Sequence, residues 1–491
     1  MVNSNVTIRT AFNIKFAIVV ILFFAAAIAL RADTITVTNT NDSGPGSLRQ
    51  VLADANDGDT IDFAVTGTIG LTSGELLVDT SITISGPGAD NLAVNGSATS
   101  RVFYIVSDKI VAITGLTITN GMACCFFPDD VGGGIYNDHA TLTLNSCIIS
   151  GNIGDRLGGG IFTDGSSGFA SVTITDSILV DNSSFSGGAI FNSGQSGSAT
   201  LEITTTVVSG NSVIEAGGGI YNDHAHVTLD SCTVSGNSAD GNGGGGIYNS
   251  GLNEGSATLG ISSSTLSGNS SQFNGGAIYN IGDSSGTANV QISNSTFSGN
   301  SANNFGGAVY NHGTLGTAIV QIGNSTLSDN SAQSSGDSIY NFVQQGFTGD
   351  VVASFANTIF KASTSGDFFN NGGTITSQGY NLSSDDGGGF LNAPGDQINA
   401  NPLLGPLQDN GGPTLTRRPF PGSPAIDAGD PNFTPPPSFD QRGPGFDRVV
   451  NGRIDIGSFE VQNGKPTPTP TPRPIPTPRP RPTPRLRPTP R

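Results

Sequence analysis

The sequence predicts an all-β fold, a right-handed parallel β-helix, and three observations carry that expectation. One phrase returns eight times between residues 132 and 341, for example as Gly-Gly-Gly-Ile-Tyr-Asn at 132–137, Gly-Gly-Ala-Ile-Phe-Asn at 187–192 and Gly-Gly-Ala-Ile-Tyr-Asn at 275–280. Its aliphatic member falls at Ile135, Ile161, Ile190, Ile220, Ile247, Ile278, Val309 and Ile339, in steps of 26 to 31 residues, a period that marks a solenoid. A second phrase keeps the same beat, from Ile149-Ser-Gly-Asn152 to Leu327-Ser-Asp-Asn330, and short alternating runs such as Thr141-Leu-Thr-Leu144 and Val290-Gln-Ile292 lie between. Two or three such strands plus Gly/Ser/Asn turns fill one coil, and coils stack at the strand spacing of about 4.8 Å.

Stacking sets each residue over its counterpart in the next coil, so like side chains form columns. The Ile/Val column is an aliphatic core. Asn137, Asn192, Asn222, Asn249, Asn280, Asn311 and Asn341, interrupted by Thr163, form an amide ladder at a turn, bonding one another and the turn backbone. The residue after each aliphatic one is aromatic: Tyr136, Phe162, Phe191, Tyr221, Tyr248, Tyr279, Tyr310 and Tyr340. Neighbouring strand residues face opposite ways, so inward Ile means outward rings. These are either an exposed platform for sugar rings or a partner's apolar surface, or they are covered by the loops between phrases.

Candidate chemistry lies three residues after the Ile, at Asp138, Asp164, Ser193 and Asp223, with His139 and His224 one place further on. Stacking sets Asp138 and Asp164 about 5 Å apart, close enough to share a proton or a cation, and carboxylate pairs near that separation serve glycosidases. Calcium accepts such oxygens; no other cofactor is indicated, and no cysteine spacing fits zinc. The plainer reading makes each Asp a turn cap with a solvated His beside it. A lyase also needs a basic group beside its acids, and from 132 to 341 only Arg156 is available. Cys147 and Cys232 fall in a column otherwise made of Ser177, Thr206, Ser264, Ser295 and Ser325, as small residues of a turn stack. Pairing of Cys124 or Cys125 with Cys147 is left open.

Composition narrows the class. Seventy Gly, no Trp and 12% charged residues suit a repeat protein with narrow turns. Of the 20 Lys and Arg, three precede residue 33 and seven follow residue 464, which leaves 10 against all 38 acidic residues in the body. That balance repels phosphate backbones and excludes nucleic acid as a partner. Residues 1–32, with Arg9 and Lys15 before an uncharged apolar run, read as a signal peptide, after whose cleavage no transmembrane segment remains. In the N-terminal cap, 33–63, Ser47 caps a helix whose Leu48, Val51, Leu52 and Ala55 share the face that covers the first coil. The β-helix occupies 64–345. Residues 346–464 are the last coils and a C-terminal cap, in which Asp427, Asp430, Asp440 and Asp455 form either a metal site or turn hydrogen bonds with Arg442 and Arg453. The Pro/Thr/Arg tail, 465–491, is a disordered polyproline rod, acting as a spacer or as a contact to anionic envelope polymer.

The Gly-Gly-Ala-Ile repeats with a following aromatic residue and Asn resemble those of chlamydial polymorphic outer-membrane proteins and related bacterial β-helix proteins, a pectate-lyase-like solenoid class. Gly46-Ser-Leu-Arg49 followed by Gly58-Asp-Thr-Ile61 resembles in part the "CSLREA" segment of secreted β-helices, with Gly46 in place of Cys and Gln50 in place of Glu. Asn401-Pro-Leu-Leu-Gly405, Gly422-Ser-Pro-Ala-Ile-Asp-Ala-Gly-Asp430, Asp440-Gln-Arg442 and Ile454-Asp-Ile-Gly-Ser-Phe-Glu460 resemble a choice-of-anchor Q domain. The resemblances imply a bacterial protein, secreted or at the cell surface, adhesin-like or structural. Its partner would be polysaccharide or a host or cell-surface ligand. The alternative is a polysaccharide lyase or glycoside hydrolase acting on acidic polysaccharide at the Asp138, Asp164 and Asp223 column.

Overall fold

The computed structural model describes residues 32–125, 130–363 and 365–462; the expected signal peptide up to Arg31 and the tail from residue 463 onward lie outside them. Apart from one antiparallel pair, Leu404–Gln408 with Thr416–Pro419, the strands form four parallel sheets that run along a β-solenoid. A regular coil visits them in turn: Thr141–Asn145 in sheet I, Ile148–Ser150 in sheet II, Ile153–Leu157 in sheet III and Ile161–Asp164 in sheet IV, before Phe169–Thr175 resumes sheet I. Sheets I to IV hold 13, 12, 8 and 11 strands; the shorter sheet III starts only at Met122–Ala123, so the earliest coils have three walls and the regular ones four.

Pairing between coils is residue for residue. Ile135 lies against Ile161, Ile161 against Ile190, and so on through Ile220, Ile247, Ile278 and Val309 to Ile339. All are fully buried in one continuous core, each contributing about 1.5–3 kcal/mol of apolar transfer. The Gly-Gly phrase precedes this column because the chain doubles back tightly there: Gly275 has φ +65°, and a Cβ added to it would sit 2.4 Å from the Ile278 carbonyl oxygen.

The predicted Asn ladder forms, but inside the strands of sheet IV and not at a turn. Asn192 donates to Asn222 Oδ1 at 3.2 Å, Asn222 to Asn249 and Asn249 to Asn280 at 2.8 Å each, Asn280 to Asn311 at 2.8 Å and Asn311 to Asn341 at 2.9 Å. Thr163 breaks it, and there Asn137 Oδ1, Thr163 Oγ1 and Asn192 Oδ1 are buried without a hydrogen-bond partner. A second, unbroken ladder comes from the Ser-Gly-Asn phrase: Asn152, Asn182, Asn211, Asn237, Asn269, Asn300 and Asn330 are all buried. Each of the first six gives both its backbone N–H and its Nδ2–H to the next Oδ1; Asn211, for instance, does so to Asn237 at 3.0 and 2.9 Å. Cys147 and Cys232 belong to a third column, as expected: the Cys147 backbone donates to Ser177 Oγ and that of Cys232 to Ser264 Oγ. Cys147 is buried in the core, and the contact that forms is instead between Cys124 and Cys125.

The two ends differ. Leu48–Asp54 is a helix capped by Ser47, and Leu48, Val51, Leu52 and Ala55 are buried against the first coils. Residues 401–462, expected to close the last coil, instead run back along the flank of sheet II, while Phe390 and Leu391 pack on the terminal core. The reason is polar complementarity with a column of buried hydroxyls. Gln441 donates to Ser264 O at 3.1 Å and Thr265 Oγ1 at 2.9 Å and accepts from Thr296 at 2.6 Å, and Ser458 meets Thr326 at 3.1 Å. Arg442 holds Asp440 at 2.5 Å between the rings of Phe446 and Phe459.

Removing one rung of the unbroken ladder strands both donors of its neighbour. Asn237→Ala is expected to cost roughly 3–5 kcal/mol in denaturant unfolding, whereas Asn303→Ala, on the exposed polar row, should stay within about 0.5 kcal/mol.

Candidate functional site

The aromatic column is a continuous ladder of ten rings, extended by Tyr104 at one end and Phe369 at the other, with centroid spacings of 4.6 to 5.8 Å. Its rings face outward as alternation requires, yet they are not a platform. Tyr136, Phe162, Phe191, Tyr248, Tyr279, Tyr310 and Tyr340 are only 3–8% exposed and Tyr221 is half-buried. The segment entering each Gly-Gly turn lies over them, through Val131 and Leu157 in one stretch and Ala216 and Phe305 in the next. The exposed-platform expectation is therefore corrected: the rings are a second, external core.

The acidic column converges where the first regular coils begin. Tyr104 donates to Asp138 Oδ2 at 2.9 Å and Tyr136 to Asp164 Oδ2 at 3.3 Å. Burial and the Asp138 carboxylate push the Tyr104 phenol up to about 12. Asp164 also caps its own turn, accepting from the Ser166 N–H at 2.9 Å and from its hydroxyl at 2.5 Å. His139 Nδ1 donates to Asp138 Oδ1 at 2.5 Å, and Nε2 donates to the Ser166 carbonyl, one coil on, at 2.7 Å.

The same device recurs at the second Tyr-Asn-Asp-His-Ala. His224 Nδ1 donates to Asp223 Oδ1 at 2.6 Å and Nε2 to Leu252 O at 2.5 Å. Each imidazole presses its Cδ2 edge toward a glycine of the next coil; a Cβ on Gly168 would come within 2.5 Å of the His139 ring, and one on Gly255 within 1.5 Å of the His224 ring. Since a carboxylate and a carbonyl only accept, the imidazolium, with both ring nitrogens donating, is the form that satisfies all four contacts and straps two coils together. Burial opposes the charge on His139, but bonds to Ser166 and Asp138 and the charges of Asp164 and Asp138 outweigh it, so its pKa is raised. At His224 the Asp223 bond raises the pKa against burial. Asp223 belongs to this second clamp and not to a triad with Asp138 and Asp164.

Asp138, His139 and Asp164 bring ligand atoms within 4.8 Å of one another. With both its nitrogens donating, His139 is no ligand, which leaves two carboxylates for a calcium ion. Asp427, Asp455 and Glu460 also cluster. There the Asp455 oxygens accept from the Asp427 and Val461 N–H groups and Glu460 accepts from Asp455 and Val450, so these acids hold the C-terminal segment's turns. Asp440 pairs with Arg442 as expected; Arg453 bonds the carbonyls of Gly429 and Ala428 instead of an acid.

Two basic residues were missed because they precede the regular repeats. Lys109 lines, with Asp108, Ile110, His139 and Phe169, a solvent-open cavity of about 430 Å³. Arg101, buried and paired with Glu75 at 2.8 Å, lies 5.1 Å from the Tyr136 ring centroid. The pairing of Phe103-Tyr104-Ile105 with Ile135-Tyr136-Asn137 is the signal that extends the site backward by a coil.

The Chlamydia polymorphic membrane protein repeat matches this chain at residues 263–281 and 294–312, two consecutive copies of the phrase. No match is found among curated proteins. Among solved structures, pectate lyase Pel9A is similar at a TM-score of 0.48 and 15% identity, over 88% of this chain and 96% of the lyase. A mannuronic acid specific polysaccharide family 6 lyase from human gut microbiota is similar at 0.37 and 12%, over 74% and 91% of the two chains. The PL6 family alginate lyase AlyGC is similar at 0.38 and 13%, over 78% and 55%. By its own sheet topology the chain is an all-β parallel solenoid, and two of its repeats match the polymorphic membrane protein repeat. No helix among the described residues is long and apolar enough to cross a membrane.

The clamps predict a pH dependence. A raised folded-state pKa gives stability that is full below the ordinary imidazole value and is lost as pH rises through the raised one. His312, lowered by burial, contributes with the opposite sign. Thermal unfolding between about pH 5.5 and 9 should therefore show the advantage of wild type over the His139→Gln, His224→Gln double variant shrinking as pH rises.

Proposed function

We propose that this is an exported bacterial β-helix protein that works at the cell surface as an adhesin-like or structural binding surface without catalysis. The observation that carries the reading is the state of the acids best placed for chemistry. Asp138 and Asp223 each hold an imidazolium whose other nitrogen is bonded to the next coil. A histidine with both nitrogens donating is neither a general base nor a metal ligand. What the solenoid then offers a partner is its long flank, acidic and rich in Ser, Thr and Asn, which suits hydroxylated polymers or host or cell-surface ligands. The basic tail, on this reading, lies against anionic envelope polymer.

A second reading, a polysaccharide lyase or glycoside hydrolase for acidic polysaccharide, is favoured by one observation: the cavity that holds Lys109 and His139 adjoins the converging Asp138 and Asp164. There Lys109, beside the charge of His139, would hold a uronate carboxylate and the aspartates would move protons.

Incubation of the full chain with an array of acidic and neutral polysaccharides, with and without calcium, separates the two. Retention of a polymer without product formation is the expected result. Product that disappears in the Asp138→Asn, Asp164→Asn double variant would establish the enzyme.

A further inference from the structure

Cys124 and Cys125 stand on an insertion that no other coil carries. Between the third-sheet strand and the next Gly-Gly turn the other regular coils need three to five residues, as from Ser184 to Gly187, Ala302 to Gly306 or Ala239 to Gly244, whereas the first regular coil takes nine, from Ala123 to Gly132. The neck of this loop is fixed on both sides: Ala123 pairs with Gly154, Val131 bridges to Leu157, and the Arg156 N–H donates to Asp130 O at 3.0 Å. The two thiols lie just outside the neck with their Sγ atoms 2.9 Å apart, inside non-bonded contact for sulfur. Cys125 is exposed, Cys124 half-buried, and Cys125 has φ +98°, an uncommon backbone conformation for any residue but glycine.

The other two cysteines are of a different kind. Cys147 and Cys232 are buried, and each donates its thiol to carbonyls of its own turn stack. Burial pushes both thiols up, that of Cys232 to about 12, which leaves them inert to exchange.

We infer that Cys124 and Cys125 are a vicinal thiol–disulfide couple, a redox-sensitive modification site on the solenoid's first four-walled coil. The oxidant is a small-molecule disulfide RSSR. The Cys125 thiolate attacks one sulfur of RSSR, forming a mixed disulfide and expelling RS⁻. The Cys124 thiolate then attacks Cys125 Sγ, forming the Cys124–Cys125 bond and expelling the second RS⁻. Two thiol protons and two electrons leave the protein, and RSSR becomes two RSH. Neighbouring Cα atoms are about 3.8 Å apart, below the roughly 4.4–6.8 Å usual for bridged cysteines, so the ring formed is strained and is reduced readily. The couple is therefore reversible, unlike a structural bridge. Closing it ties the first two residues of the loop into one rigid unit, on the flank where Phe185 and Ile214 of the following coils are exposed.

The test is equilibration of the purified full chain in reduced and oxidised glutathione at graded ratios, acid quenching, alkylation and peptide mass spectrometry. The expected result is that the peptide holding both residues passes from doubly alkylated to unalkylated and lighter by two hydrogen atoms. Cys147 and Cys232 should not respond. In Cys124→Ser and in Cys125→Ser the remaining thiol should instead accumulate a glutathione adduct. Double alkylation or double glutathionylation of the wild-type peptide at every ratio, or a bridge from either residue to Cys147, would overturn the inference.

Discussion

The structure depends on coils pairing in strict register, so that the environment of a side chain is its own counterpart one coil away. An aliphatic residue then has an aliphatic neighbour above and below, and a column of them is a core. A buried amide is more demanding, because its oxygen and its nitrogen both need partners. The ladder from Asn152 to Asn330 meets that demand almost wholly within itself: each Oδ1 from Asn182 to Asn330 receives two donors from the preceding Asn, that of Asn152 receives the Gly121 N–H, and each Nδ2 from Asn152 to Asn300 reaches the next coil's oxygen. Where the register carries the wrong residue, as Thr163 does in the other ladder, three polar atoms are stranded at once. Buried polar columns are thus what forbids the coils to slip.

The candidate site arises where the repeat changes. Two coils have the short turn Asn-Asp-His-Ala, while the coils after them carry longer loops through Gly168 and Gly255. The imidazolium lies between short turn and long loop and bonds both. A constellation that looks catalytic as a list of residues, two acids and a histidine, is in space a charged strap with its donors in use. The same logic relocates residues 401–462: a row of buried hydroxyls at Thr265, Thr296 and Thr326 draws a polar segment onto the flank.

Much of this was legible in the sequence, because a solenoid writes its contacts at a fixed period. The Ile column, the first Asn ladder, the Ser47-capped helix and the Ser/Cys column could all be read by counting. The Ser-Gly-Asn phrase was visible too, but an Asn after Gly looks like turn chemistry, and nothing local says that its amide points inward. Alternation put the rings of Tyr136 to Tyr340 on the outer face correctly; it carries no information on what then covers that face. Lys109 and Arg101 escaped because they lie before the beat becomes regular. The path of the C-terminal segment was illegible for a simpler reason: Gln441 meets Ser264, 177 residues earlier in the chain, through side-chain bonds with no period at all.

The central claim, that inward amide columns lock the coils, is tested most directly by hydrogen exchange of the native chain read at fragment level. The backbone N–H groups of Asn182, Asn211, Asn237 and Asn269 donate to a side-chain oxygen of the next coil. The account predicts that they exchange as slowly as the core strands, opening only when whole coils unfold. Exchange at the rate of the solvent-facing turns would contradict it, and would leave the aliphatic core alone to hold the solenoid in register.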